Sequence, residues 1–280
     1  MSKFKNCVAV ITGAGSGIGQ ALALELAERG AKLAISDINA ETLAETASKL
    51  QPFEGQVHQQ QLNVANQDAV FAYAQAVCSH YGTVNLVINN AGVALSSGRL
   101  WETEIDDFKW LMDINFYGVL YGTKAFLPQL QSADWGHIVN ISSIFGIIGV
   151  PEQTAYNASK FGVRGLTEAL RHELELENSS VSCTSVHPGG IKTNIARSAR
   201  ITHGSTLSDP KEREISINNF DRLARTLPAS AAQQILTAVE KNKRRLLIGA
   251  DARLLDRLQR LLPTRYGFIV KKLANRVKKS

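Results

Sequence analysis

Thr12-Gly13-Ala14-Gly15-Ser16-Gly17-Ile18-Gly19 joins two segments of different period. Before it, Cys7–Ile11 is an apolar run of strand length. After it, Ile18, Leu22 and Leu26 recur at helical spacing over Ile18–Arg29, and Gly30 offers a stop. A glycine loop in that context has a specific use. The glycines allow a tight turn and let the backbone approach a pyrophosphate, and the helix start turns unpaired N–H groups towards it. Gly13, Ser16, Gly17, Ile18 and Gly19 are therefore expected at a dinucleotide. Asp37 follows eighteen residues after Gly19, where a ribose-binding carboxylate is required.

Outward from the loop, strands and helices alternate. Strands are expected at Lys32–Asp37, Gln56–Val64, Val84–Asn89, Gly136–Ser143, Val181–His187 and Leu246–Gly249. Helices are expected at Ala40–Leu50, Gln67–Tyr81, Glu104–Gln131 and Ala155–Glu177. Strands apolar on both faces, alternating with helices, predict an α/β fold: a doubly wound parallel sheet, the Rossmann fold, in one domain. Gly13, Asp37, Asn63, Asn89, Ser143 and His187 all fall at carboxyl ends of expected strands, where such sheets bind ligands. The dinucleotide-binding and catalytic domain is expected over residues 1–250, with a lid near 195–227. A basic amphipathic extension follows over 251–280.

Tyr156 and Lys160 stand four residues apart, one turn of helix from each other on one face. A fixed cation beside a phenol favours phenolate, so the Tyr156 pKa is expected to fall from about 10. That makes it an acid/base usable near neutral pH. Asp37 would repel a 2′-phosphate, and the loop carries Ser16 rather than a base. NAD(H) is expected in preference to NADP. Asn63 and Val64 would border the adenine.

The chain has 280 residues, 44% hydrophobic and 20% charged, an ordinary globular composition. No apolar run has the length of a membrane span or the pattern of a signal peptide. Cys7, Cys78 and Cys183 show no paired spacing and read as reduced thiols in a cytoplasmic protein. The histidines form no i, i+4 pair, so no catalytic metal is expected. Charge is uneven. Residues 241–280 hold 13 basic and two acidic residues, and the remainder holds 18 basic and 23 acidic. In the tail, Leu254, Leu255, Leu258, Leu261 and Leu262, then Tyr266, Ile269, Val270, Leu273 and Val277, follow helical spacing around Pro263. Three roles are open for it: peripheral contact with an anionic membrane, packing on the body or a second subunit, or a solvated tail.

The T-G-x-x-x-G-x-G loop, Asn89-Asn90-Ala91-Gly92, a serine thirteen residues before the tyrosine, Y-x-x-x-K and Pro188-Gly189-Gly190-Ile191-Lys192-Thr193 occur in the order found in one family. The chain resembles the short-chain dehydrogenase/reductase family, in its single-domain branch, over about residues 5–195 and the strand near 247. The resemblance implies an oxidoreductase that moves a hydride between nicotinamide and a secondary alcohol or ketone. Tyr156 would be the acid/base, and Lys160 would hold the nicotinamide ribose. Ser143, selected over Ser142 by the spacing, would bind the substrate oxygen. Asn115 would hold a water relaying protons towards Lys160. Asn90, Ala91, Gly92, Pro188, Gly189, Ile191 and Thr193 would line the cofactor channel. A homodimer or tetramer is implied, through the helices after the fourth and fifth strands.

The apolar run Ile144–Val150, with Phe145 and Leu95, reads as a pocket for a lipophilic substrate such as a steroid, fatty alcohol or acyl derivative, or as core. Ser, Thr, Gly and Asp at 202–209 suggest a hinge region. The arginines and lysine at 197, 200, 211, 213, 222 and 225 would suit an anionic substrate group or a solvated face. A second reading is an NAD-binding regulatory or scaffold protein without turnover. Nucleic acid is not an expected partner.

Overall fold

The computed structural model describes residues 3–53, 55–96, 98–202, 205 and 209–277, with backbone alone over 272–277. Seven strands form one parallel sheet: β1 (Val8–Thr12), β2 (Lys32–Asp37), β3 (Val57–Gln61), β4 (Leu86–Asn89), β5 (Gly136–Ile141), β6 (Val181–Pro188) and β7 (Arg245–Ile248). Their order is β3-β2-β1-β4-β5-β6-β7. The chain builds outward from β1, then returns to place β4 on its other side, so the order reverses between β1 and β4. Register there pairs Ala9 with Leu86 and Ile11 with Ile88. That reversal leaves a crevice at the carboxyl ends of β1 and β4.

Alternating side chains explain why the strands are apolar throughout. Ala9, Ile11, Leu33, Ile35, Leu86 and Ile88 enter one core, against Leu22 and Leu26 of α1 (Gly17–Glu28) and Ile235 and Leu236 of α8 (Pro228–Glu240). Val8, Val10, Ala34, Val87 and Ile138 enter the other. There they meet Tyr73 of α3 (Gln67–Tyr81), Phe126 of α5 (Gly118–Gln131) and Leu170 of α6 (Thr154–Leu176). The first layer also carries α2 (Ala40–Leu50), whose Asn39 cap accepts bonds from Glu41 N and Thr42 N.

The expected long helix over 104–131 is interrupted. α4 (Ile105–Met112) passes into a π-helical turn, Asp113–Tyr117, before α5. A Cβ on Gly118 would lie 2.8 Å from Val64, so this glycine lets the helix press against the end of the β3 segment. β3 itself stops at Gln61, short of the expected Val64, and β5 stops at Ile141.

Beyond β6 lie α7 (Pro210–Leu223) and α8. After β7 the tail forms α9 (Ala250–Leu261) and α10 (Tyr266–Val277), with Pro263 in the break. The tail packs on the body. Ala252, Leu255, Tyr266 and Val270 form a cluster with Ile144, Ile147 and Ile148. Those three isoleucines are therefore core, which resolves the two readings of Ile144–Val150 for them. Of the tail pattern, the side chains of Leu273 and Val277 lie outside the described residues. So do His203, Gly204, Thr206, Leu207 and Ser208 of the expected hinge. Among the described residues, no helix is long and apolar enough to cross a membrane and no cluster of potential metal ligands occurs.

Candidate active site

The glycine loop is held from both sides. Thr12 Oγ1 accepts from Asn90 N and Ala91 N, both at 3.1 Å, and Asn90 Nδ2 donates to Thr12 O and Gly13 O at 3.0 Å. The Asn90 side chain thus splices β4 to the loop. Asp37 Oδ2 accepts from Gly15 N at 2.9 Å and Oδ1 from Asn39 N at 2.9 Å. The carboxylate stands at the tip of β2, over the crevice. Gly13 and Gly17 have φ of +66° and +56°. A Cβ on Gly19 would sit 2.1 Å from Gly13 O, and one on Gly17 would sit 3.1 Å from Thr193. Thr193 therefore faces the loop across the crevice. Ser16 precedes α1 without a side-chain bond to the helix N–H groups, which stay available to phosphate. Glycines where a side chain would fill the cradle, an uncapped helix start and a carboxylate at the strand tip fit a dinucleotide.

Asn63 is exposed and its side chain accepts from Ala65 N at 3.0 Å, while Val64 is buried. Pro188 ends β6, and Ile191 is buried in a bridge with Thr226.

At the reaction end, Tyr156 and Lys160 share one face of α6, with the Lys160 ammonium 5.5 Å from the Tyr156 ring centre. Lys160 Nζ donates to Ile141 O at 3.1 Å, and burial pulls its pKa down to about 8. Tyr156 departs from expectation. Its pKa is pushed up to about 12, because burial of the hydroxyl outweighs a hydrogen bond with Ser143 that pulls the other way. The neighbouring cation does not reverse this in the protein alone. Tyr156 as a whole is half-buried, and Phe145 meets its ring edge-on with 6.0 Å between centres.

Ser143 follows β5, and its Oγ accepts from Phe145 N at 3.1 Å. Ser142 turns the other way and donates to Lys160 O at 2.8 Å. Asn115 lies in the π turn, fully buried. Its side chain accepts from Val93 N at 2.8 Å and donates to Val93 O at 2.9 Å. A Cβ on Gly92 would meet Asn115 Oδ1 at 3.3 Å and Lys160 Nζ at 3.5 Å. Asn115, Gly92 and Lys160 therefore converge on one point, although the Asn115 amide itself is committed to Val93.

Three residues support the site in ways the sequence did not reveal. Asn157 donates to Phe145 O at 2.7 Å and Ile148 O at 2.8 Å and accepts from Val150 N at 3.1 Å, fixing the loop after Ser143. Thr12 was visible only as the start of the motif. His187 Nδ1 lies 3.0 Å from Ser143 O, and Nε2 lies 2.9 Å from Ser185 Oγ. A carbonyl only accepts, so Nδ1 carries the proton. Burial lowers the pKa of this ring to about 4 and keeps it neutral. No spacing rule links His187 to a residue 44 positions away.

Several lid cations are used within the protein. Arg197 pairs with Asp221, Arg213 donates to Arg197 O, and Arg200 pairs with Asp107 over the Trp110 ring. Cys7 and Cys183 are buried, and burial raises both thiols to about 12, away from the thiolate form.

Residues 7–204 match the short chain dehydrogenase family. The chain belongs to that family. This short-chain dehydrogenase is similar to the putative oxidoreductase SadH of Mycobacterium tuberculosis, 48% identical over 271 residues that cover 96% of each chain. It is 37% identical to the cyclohexanol dehydrogenase of an Acinetobacter strain, over 69% of this chain and 76% of that one. A short-chain dehydrogenase/reductase from Burkholderia phymatum, solved in complex with NAD, superposes with a TM-score of 0.86 at 32% identity. That match covers 94% of this chain and 95% of the other. The short-chain dehydrogenase is thus an oxidoreductase built to use NAD or NADP.

Proposed function

We propose that this enzyme is an NAD-dependent dehydrogenase of lipophilic secondary alcohols, or a reductase of the matching ketones. Tyr156, with Ser143 on one side and Lys160 on the other, is the observation that carries the reading. When bound, the nicotinamide accepts the hydride in oxidation and donates it in reduction. Tyr156 Oη would take the hydroxyl proton of the alcohol. Ser143 Oγ would donate to the substrate oxygen and stabilise the charge that develops there. Lys160 would hold the ribose, and its charge favours the phenolate. Asn115, through Val93, would keep the loop beside Lys160 in place.

The NAD preference rests on Asp37, whose carboxylate would accept from ribose hydroxyls and repel a 2′-phosphate. Gly13, Ser16, Gly17, Ile18 and Gly19 would cradle the pyrophosphate. Asn63 and Val64 would border adenine, and Ala91, Gly92, Pro188, Gly189, Ile191 and Thr193 the nicotinamide half. The lipophilic substrate class rests on the apolar surroundings of Tyr156, which packs against the buried cluster of Leu95, Leu111 and Ala155 with Val93 and Phe108 beside it, and meets the Phe145 ring edge-on. A panel of secondary alcohols of increasing size, each with NAD and with NADP, tests both points. The expected result is a kcat/KM that rises with apolar size and is at least tenfold higher with NAD. Preference for NADP, or for small polar alcohols, contradicts the respective claim.

A second reading concerns place rather than chemistry. Leu254 and Leu261 are exposed on α9 beside Arg253 and Arg257, and Phe268 is exposed on α10. An apolar stripe flanked by cations suits peripheral binding to anionic bilayers. Co-sedimentation with phosphatidylglycerol vesicles, lost at high salt, would support it; absence of binding at low salt would exclude it. Exposed Tyr117, in the π turn leading into α5, and exposed Phe161 on α6 support a homo-oligomer through these helices.

A further inference from the structure

The tail holds two loops, the turn after β6 and the loop that begins at Ser143. On the cofactor side, Asp251, in the first turn of α9, accepts from Gly190 N at 2.7 Å. A Cβ on Gly189 would lie 2.2 Å from the Asp251 carboxylate, so the Pro188–Gly190 turn closes around it. Gly249, at φ +99°, aims the chain from β7 into that position, and its own Cβ would lie 2.3 Å from Asp251 Oδ1. On the substrate side, Tyr266, at the start of α10, accepts through its hydroxyl from Gly149 N at 3.0 Å. Its ring packs with Ile144, Ile147 and Ile148, in the segment that begins at Ser143. The match to SadH covers 96% of this chain, so it reaches through α9 into α10.

We infer that α9 and α10 brace the active site, with Asp251 positioning the nicotinamide-side loop and Tyr266 the substrate-side loop. The inference rests on the dehydrogenase reading. Gly189 and Ile191 precede Thr193, which faces the glycine loop, so slack at Gly190 spreads to the residues expected at the nicotinamide. Gly149 lies in the loop that carries Phe145, so slack there shifts Phe145 against the Tyr156 ring that it meets edge-on. Both are positioning residues, since each acts through the backbone N–H it accepts from, Gly190 and Gly149.

Three variants of the full chain separate the roles: Asp251→Ala, Asp251→Asn and Tyr266→Phe. NADH affinity is read by nicotinamide fluorescence, and kcat and KM with cyclohexanol or the best alcohol of the panel. Asp251→Ala is expected to weaken NADH about tenfold, the scale of one charge-assisted hydrogen bond. Asp251→Asn is expected to recover most of it, because an amide oxygen accepts the same N–H. Tyr266→Phe keeps the packed ring and is expected to raise alcohol KM about fivefold to tenfold with NADH affinity unchanged. Thermal melting verifies folding, because a merely structural role would lower Tm and leave these constants alone. Folded variants with wild-type constants overturn the inference while the dehydrogenase reading stands. A wild-type enzyme that binds no NADH overturns both.

Discussion

Replacing Tyr156 by phenylalanine is expected to lower kcat by about 10²–10⁴-fold, the usual worth of a general acid/base, with NADH affinity within twofold of wild type. The ring remains against Phe145 and only the hydroxyl is lost. A variant retaining more than a tenth of the wild-type rate would remove Tyr156 from the acid/base role. The two pKa shifts give this prediction a pH dependence. In the protein alone the phenol sits at about 12 and Lys160 at about 8, so at neutral pH the tyrosine is protonated and the lysine charged. Alcohol oxidation needs the deprotonated phenol. Its rate should rise from pH 6 towards 8 as the phenolate fraction grows under the positive charges of Lys160 and oxidised nicotinamide. Above about 8 the rise should stop as Lys160 loses its charge. Ketone reduction needs the protonated phenol and should not rise over the same range. A pH–rate profile in both directions checks the sign, and parallel profiles would contradict it.

Gly19→Ala is expected to weaken NADH by roughly a hundredfold, about 2.7 kcal/mol. The added methyl would sit 2.1 Å from Gly13 O and 2.6 Å from Asn90 Nδ2. Neither neighbour can yield freely. Gly13 is already at positive φ, and Asn90 Nδ2 is tied to Thr12 O and Gly13 O. The loop must therefore open, and the helix start moves away from the phosphates it would meet. Both sheet cores are untouched, so the far-ultraviolet spectrum should stay that of the wild type. Wild-type NADH affinity in this variant would show that the loop does not hold the dinucleotide.

Local features were legible in the sequence and long-range ones were not. The glycine loop, Asp37 and the Tyr156–Lys160 pair depend on short spacings, so reading them needs only the period of a helix or strand. The parallel sheet between helix layers follows from apolar runs buried on both faces, whereas the strand order is seen only in the structure. The π turn around Asn115 left no mark, because helical periodicity barely changes across one widened turn. Asn157 and His187 act through backbone atoms of the loop beginning at Ser143, and a sequence does not name backbone partners. The direction of the Tyr156 shift depends on how deeply the fold buries its hydroxyl. That depth is set by packing around α6, and the four-residue spacing to Lys160 does not report it. The tail divides the same way: its helices and their break at Pro263 were legible, but its docking on Ile144–Ile148 was not.

The most direct test of the central claim follows one hydrogen. The purified enzyme would be mixed with NAD and a secondary alcohol of the panel carrying deuterium at the carbinol carbon, and the nicotinamide product examined by mass spectrometry. The account predicts NADH carrying one deuterium per ketone formed. Ketone without labelled NADH, or bound NADH with no ketone from any alcohol of the panel, would contradict it.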